Sequence, residues 1–177
     1  MIARFARFAA AAALVAALPL TASAQFAKGD RVGTVNFMTG GDYNGSGVGV
    51  QAEWGILPIG KATLGIGGFV GYQSDSETYG TFKASNSVMP FMAIGNVHFP
   101  IASQPKLDLY AGASVGIIRV SWDSNVPAAY NVDGSDTDTG FGIQGGARYW
   151  FGSKLGLNGQ IGIGDIPLLH AGLSLKF

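Results

Sequence analysis

The last 39 residues, Thr139 to Phe177, read TGFGIQGGARYWFGSKLGLNGQIGIGDIPLLHAGLSLKF, and their reading decides the fold. In steps of two the end is Leu169, Ala171, Leu173, Leu175 and Phe177, with His170, Gly172, Ser174 and Lys176 between them. Apolar and polar residues alternate at the strand period of two. The segment before it repeats the pattern, with Leu155, Leu157, Ile161 and Ile163 on one face and Lys154, Asn158 and Gln160 on the other. Earlier still, Phe141, Ile143, Ala147, Tyr149 and Phe151 alternate with Gln144 and Arg148. Three amphipathic strands with tight connections therefore close the chain. Alternation alone leaves open which way the apolar face points. A soluble lipocalin-like barrel turns it inward, and an outer membrane barrel turns it out into lipid.

Upstream, five more segments carry the same period. A first strand over about Asp30 to Met38 has poor alternation, and the faces of Val35 and Asn36 stay unassigned. The stretch Thr39 to Gly45 is rich in turn residues. A second strand, about Gly47 to Leu57, sets Val48, Val50, Ala52, Trp54 and Ile56 against Gln51 and Glu53, and Pro58 ends it. A third, about Lys61 to Gln73, sets Leu64, Ile66, Val70 and Tyr72 against Thr63, Gly65 and Gln73. A polar loop over Ser74 to Ser85 follows. The fourth, about Ser87 to Phe99, sets Met89, Phe91, Val97 and Phe99 against Asn96 and His98. The fifth, about Lys106 to Val120, sets Leu107, Leu109, Val115 and Ile117 against Asp108, Tyr110 and Ser114; its phase blurs near Ile118-Arg119-Val120, as a bulge would make it. The longest loop is then Ser121 to Asp138. The sum is an all-β chain; with its apolar face turned to lipid it is an eight-stranded antiparallel up-and-down transmembrane β-barrel.

Residues 1–24 have the make-up of a secretory signal peptide. Arg4 and Arg7 begin it, an apolar run from Ala9 to Leu20 follows, and Ala22-Ser23-Ala24 has the A-x-A form of a cleavage site, so cleavage is expected before Gln25. The run is shorter than the ~20 residues a spanning helix needs. Of 177 residues, 25–177 remain as one barrel domain. Without Arg4 and Arg7 the 11 basic residues become 9 against 11 acidic ones, a mild negative balance that gives nucleic acid no purchase. There is no Cys, so an exported chain of this kind folds without disulfides. No later stretch has the make-up of a spanning helix, so a membrane location requires a closed barrel, because lipid cannot satisfy an open sheet edge.

Four features turn the apolar face toward lipid. Short turns after the second, fourth and sixth strands (Pro58–Gly60, Pro100–Pro105, Gly152-Ser153) alternate with longer polar loops after the first, third and fifth, as periplasmic turns alternate with outer loops in such barrels; Gly164 to Pro167 is a short exception. The polar face is full of Gly, Ser, Gln and Asn, as a narrow lumen prefers, where a soluble surface would carry Lys and Glu. Aromatic residues sit near strand ends, with Tyr72, Phe91, Trp122 and Phe141 toward one interface and Trp54, Phe99, Tyr149, Phe151 and Phe177 toward the other. The chain also ends on an aromatic in phase with the apolar face.

With its signal-like start, eight hairpin-linked strands and terminal Leu173-Ser174-Leu175-Lys176-Phe177, the chain resembles the small bacterial outer membrane barrels of the outer membrane protein A-like group. The resemblance implies export to the outer membrane and a wall surrounded by outer membrane lipid and lipopolysaccharide. It also implies that Phe177 is part of the signal read by the outer-membrane assembly machinery. A monomer without cofactor is expected. The outer membrane protein W-like barrels, which handle small hydrophobic molecules, are comparable in strand number; their lumen tends to be apolar, whereas Glu53, Arg148, Gln144, Asn158 and Gln160 should point inward here.

Catalytic chemistry finds little footing. A hydrolase needs a nucleophile, a base and usually an orienting group. The histidines are His98 and His170, expected at opposite ends of the lumen, and His170-Ala171-Gly172 does not match the His-x-Ser site of lipid A deacylase barrels. In the acidic stretch Asn131 to Asp138, Asp133, Asp136 and Asp138 could take a divalent cation, but the spacing departs from a calcium loop and a solvated acidic loop is the plainer reading. The glycines at Gly65, Gly67 and Gly68 lie inside a strand with no helix after them and read as small lumen residues rather than a nucleotide motif.

The sharpest expectation concerns the lumen. Glu53 and Arg148 sit on polar faces at similar heights, on strands half-way round an eight-stranded barrel from one another. An interior that side chains can fill lets them meet across the axis. A lone charge there would be costly, a paired one much less so. A Glu53–Arg148 contact is expected, with Gln51, Gln144, Asn158 and Gln160 hydrogen-bonded around it and the lumen plugged. The competing expectation is that each charge pairs with a nearer neighbour such as Lys106 or Asp108.

Overall fold

The computed structural model describes residues 25–42, 45–126 and 133–177. The signal peptide expected over residues 1–24 lies outside them, as do residues 43–44 and 127–132. Eight strands follow one another: β1 (Arg31–Thr39), β2 (Ser46–Ile59), β3 (Ala62–Tyr79), β4 (Phe82–Pro100), β5 (Leu107–Ser124), β6 (Gly134–Trp150), β7 (Leu155–Gly164) and β8 (Leu169–Lys176). Each pairs antiparallel with the next, and β8 returns to β1 through pairs such as Val35 with Leu173, closing the ring. Closure leaves no unpaired edge, the condition a bilayer imposes.

The wall sorts side chains as the alternation requires. Val35, Val50, Phe141, Ile143, Ile161, Ile163 and Leu173 are exposed on the outer face. Between them Asn36, Gln51, Gln144, Asn158, Gln160 and Ser174 are buried inside. A soluble barrel would put these two sets the other way round. The first strand, whose phase the sequence left open, turns Val35 and Phe37 out and Thr34, Asn36 and Met38 in.

Several expected boundaries move. Ser74 to Ser85 is no loop: β3 and β4 run on through pairs such as Asp75 with Asn86 and turn only at Gly80-Thr81. Likewise β5 reaches Ser124 and β6 starts at Gly134, so Asp136 and Asp138 stand on a strand. Pro58 does not end β2; it still pairs with Thr63, and the turn is Gly60-Lys61. No bulge interrupts Ile118-Arg119-Val120, whose pairing is continuous on both sides. The phase blurred there because Ile118 and Val120 are apolar residues that face inward. The register shift lies instead in β2, between Gly55 and Leu57.

That irregularity has a local cause. The segment 25–30 folds into the mouth of the barrel: Gly29 N donates to Gly55 O at 2.8 Å, and Gly55 N donates to Asp30 O at 2.9 Å. A side chain on Gly55 would run into the Ala27 carbonyl, so glycine is required there by close approach. Phe26, 5% exposed, enters the mouth and packs with Val32 and Trp150. The wall is also uneven. The strands β3, β4, β5 and β6 have 18, 19, 18 and 17 residues, against 9, 10 and 8 for β1, β7 and β8. One side therefore rises well beyond the other at the end away from the termini.

Candidate functional site

The interior is layered. Nearest the termini is a charged quartet. Arg148, fully buried on β6, places Nη2 2.6 Å from Glu53 Oε2 on β2 and Nη1 3.6 Å from Asp108 Oδ2 on β5. His98 on β4 lies between the two acids, with Nε2 2.8 Å from Glu53 Oε1 and Nδ1 2.8 Å from Asp108 Oδ1. Each ring nitrogen faces a carboxylate oxygen, which accepts and does not donate. Both are satisfied as donors only in the imidazolium form. In that form two acidic and two basic side chains face one another. The side chains of Glu53, His98, Asp108 and Arg148 are 0 to 2% exposed. Such ions persist in low dielectric only when paired, as these are; Arg148 Nε and Nη1 and Asp108 Oδ2 are buried without a hydrogen bond.

Aromatic faces enclose the quartet. Phe26 stacks on His98 with ring centroids 4.0 Å apart and planes 24° from parallel. The Arg148 guanidinium lies 4.9 Å from the centre of the Tyr110 ring. At Gly65 a Cβ would come within 2.7 Å of Glu53 Oε1 and 3.0 Å of Phe26 Cε1, so glycine leaves the room that the carboxylate and the ring occupy.

Above the quartet lies an amide layer. Asn96 donates to Glu53 Oε1 at 2.9 Å and accepts from Gln144 at 3.0 Å. Asn158 donates to Asn36 at 3.1 Å. The Tyr110 hydroxyl is 2.8 Å from Asn158 Oδ1 and 3.1 Å from Gln160 Oε1. Gln51 is buried in the same layer without a hydrogen bond at Nε2.

The structure thus brings Glu53 and Arg148 into direct contact, with Asp108 also close to Arg148. Of the four amides expected around the pair, Gln144 reaches it through Asn96, Asn158 and Gln160 reach it through Tyr110, and Gln51 stands apart. Sequence reasoning placed His98 in the lumen but not in this site, and weighed Asp108 only as a competing partner in place of the Glu53–Arg148 contact; the structure gives Arg148 both acids. The available signal was their height: Asp108 pairs across the sheet with Arg148, and His98 pairs with Tyr110.

The half of the lumen away from the termini departs from expectation. It was read as polar, yet Met38, Phe69, Val88, Met92, Ile94, Ile118 and Ile166 form a buried apolar cluster there. The short connection after β7 folds inward, so that Ile166 lies against Gly142 and Gly162 on the inner wall. His170 packs near Phe69, with Nε2 3.2 Å from Pro167 O, far from His98 in the layering.

The three aspartates proposed as a cation loop are not gathered. Asp133 Oδ1 accepts from Ser124 N at 2.7 Å, and Asp136 and Asp138 accept from the next backbone N–H groups. Among the described residues no three acidic, His or Cys side chains form a set able to hold a metal. Phe177 closes the β8 edge: its N–H donates to Arg31 O at 3.1 Å, and its ring, 67% exposed, lies against Gly33. Phe151, expected outward, is instead buried at the β6–β7 turn, edge-on to Tyr149.

Comparison with known proteins agrees with this architecture. The family described as outer membrane protein beta-barrel domain matches residues 8–175. No curated protein matches the chain. Among solved structures, the attachment invasion locus protein Ail of Yersinia pestis, in complex with the heparin analogue sucrose octasulfate, is similar at TM-score 0.52 and 9% identity, covering 84% of this chain and 95% of Ail. A de novo designed transmembrane β-barrel is similar at TM-score 0.53 and 17% identity, covering 85% of this chain and 97% of the design. At such identities the likeness is one of fold.

Proposed function

Because the chain belongs to the outer membrane protein β-barrel domain family, a small barrel of the bacterial outer membrane, we propose that it serves the envelope as a structural or surface-interaction barrel. In this reading it is not a general pore and catalyses no reaction. The observation that carries the reading is the Glu53–Arg148 contact across the lumen, fully buried, with His98 and Asp108 beside it. Phe26 covers it from the termini side, and the Ile118–Ile166 cluster fills the other half. A solute would have to break a buried ion pair to pass one half and displace packed side chains to pass the other. Wild-type protein in planar bilayers should show no large, steady conductance; such a conductance would overturn the reading.

The rest of the proposal concerns delivery and orientation. The signal peptide is removed before Gln25, and the barrel is a monomer in contact with lipopolysaccharide. The termini face the periplasm. Ser135→Cys should then label with a membrane-impermeant reagent on intact cells, and Ser153→Cys should not. The assembly machinery reads Phe177, so deleting it should lower the folded, heat-modifiable barrel in the outer membrane and leave periplasmic or degraded chain.

A second reading has one observation in its favour. The apolar cluster contains Met38 and Met92, whose unbranched thioether side chains repack easily. A small hydrophobic molecule could be taken up from the loop end by displacing them. Saturable quenching of an apolar fluorophore by the folded barrel, lost in Met92→Trp, would favour this alternative.

A further inference from the structure

We propose that the rim carrying the chain termini is a binding surface for anionic phospholipid headgroups, recognised through their phosphate by a ring of lysine and arginine side chains. This rests on reading the chain as a membrane barrel whose termini end meets the phospholipid leaflet.

The first observation is segregation of charge. Every connection at this end carries a cation: Arg31 opens β1, Lys61 is in the β2–β3 turn, Lys106 precedes β5, and Lys154 precedes β7. Lys28 stands in the segment before β1, and Lys176 ends β8. The acid on this rim is Asp30, and Lys176 takes it at 2.9 Å. Glu53 and Asp108 lie deeper, buried and matched to Arg148 and His98. Among the described residues, Lys28, Arg31, Lys61, Lys106 and Lys154 form no salt bridge. The opposite end is acidic on balance, with Asp75, Asp123, Asp136 and Asp138 on the raised parts of β3, β5 and β6 against Lys83 and Arg119. Solubility alone would not sort the signs this way; interspersed charges would serve it better.

The second observation is height. Arg31 pairs across the sheet with Trp54, which is exposed on the lipid face. Lys154 directly precedes lipid-facing Leu155, and Leu155 belongs to the same rim as exposed Tyr149. Exposed tryptophan and tyrosine mark the headgroup level of a bilayer. Arg31 and Lys154 therefore stand where lipid phosphates lie, and Lys61 and Lys106 occupy the turns that continue the same rim. A peptidoglycan partner would ask for cations projecting below the membrane; the arrangement beside the aromatic belt favours lipid.

The test is lipid selectivity of the folded barrel. Refolded protein in phosphatidylcholine vesicles is doped with spin-labelled phosphatidylglycerol or spin-labelled phosphatidylcholine, and the motionally restricted fraction is read by electron paramagnetic resonance. Wild type should prefer the anionic label about threefold or more at low salt, since each basic residue near an anionic surface adds to the attraction. The preference should fall toward unity in ~1 M salt, where screening acts within about 3 Å. A Lys61→Gln/Lys106→Gln/Lys154→Gln variant, whose changes are at two exposed positions and one half-buried one and break no salt bridge, should form the same heat-modifiable barrel and lose most of the preference. Equal association of both labels with folded wild type, or a preference the triple variant retains, overturns the proposal while leaving the membrane reading intact. Salt-sensitive pelleting with isolated peptidoglycan, lost in the triple variant and with no lipid preference, would assign the rim to the cell wall and also overturn it. Failure of the wild-type chain to form a heat-modifiable barrel in any bilayer would overturn both readings.

Discussion

Toward the termini the barrel interior is held by Glu53, His98, Asp108 and Arg148; toward the loops it is held by Met38, Phe69, Met92, Ile94 and Ile118. Both regions are buried, and both fill a ring of eight strands whose interior has room for side chains and little else. They differ in what a lost atom costs. The apolar half is held by close packing, so its losses scale with the cavity left behind. The charged half is held by charge pairing, so removing one member leaves a buried charge in excess. The difference also separates tolerance from specificity: apolar residues can slide and repack, whereas the quartet depends on particular atoms meeting, as Arg148 Nη2 meets Glu53 Oε2.

The sharpest way to break this comparison is to remove one member of the quartet. Arg148→Met should destabilise the folded barrel by about 3–5 kcal/mol, because Glu53 loses its 2.6 Å partner while staying buried. Replacing Glu53 as well, by Gln, should recover much of the loss. Urea titrations of the two singles and the double form the test. Additive losses would remove the contact as an energetic unit, whatever the distance. In the other half, Ile118→Ala should cost somewhat less, about 2–4 kcal/mol, by opening a cavity against Met92 and Val88. A second change there should not rescue it unless it adds volume. If Ile118→Ala proved the costlier of the two, packing and not ion pairing would be the main constraint on this lumen.

How much of this the sequence disclosed follows the same division. The outer wall was legible because lipid demands a continuous apolar face, so Leu169, Leu173 and Leu175 announce themselves at every second position. Polar inward residues between them, such as Asn158 and Gln160, were legible by contrast. Inward apolar residues were not. Phe69 beside Val70, and Ile118 beside Ile117, put apolar side chains on both faces at once, and the period of two disappears where the interior itself is apolar. The extension of β3 and β4 was hidden for the opposite reason. Beyond the membrane both faces meet water, so Ser74 to Ser85 reads as a loop although its backbone pairs to the Gly80-Thr81 turn. The placement of His98 between two acids depends on register between neighbouring strands, which single-strand alternation does not contain.

A smaller effect separates neutral from ionic pairing within the polar half. Thr34 Oγ1 and Ser174 Oγ lie 2.8 Å apart, buried on β1 and β8 where the barrel closes. Thr34→Val keeps the shape and removes one hydroxyl, leaving Ser174 without this partner. The expected loss is about 1–2 kcal/mol, below that of Arg148→Met because no net charge is stranded. Equal losses from the two changes would mean that charge itself adds little in this interior.

The smallest expected effect lies at the rim, where an ion pair of the same acid–base kind as Glu53–Arg148 meets water. Lys176 Nζ is 2.9 Å from Asp30 Oδ2 with side chains 13% and 25% exposed, and it also lies 4.9 Å from the Trp150 ring centre. Asp30→Asn removes the charge and keeps an oxygen able to accept from Ala27 N, which now bonds to Oδ2 at 2.8 Å. Water reaches both groups, so neither is stranded, and the cost should be about 0.2–1 kcal/mol. It should shrink further in ~1 M salt, where the screening length falls to about 3 Å and exposed charges are weakened. The loss from Arg148→Met should be the same at either salt concentration, because ions do not enter the closed interior. Measuring both variants at low and high salt therefore tests the two environments with one experiment. A salt-sensitive Arg148 loss would mean that water and ions reach the quartet, and the barrier assigned to that half of the lumen would fail with it.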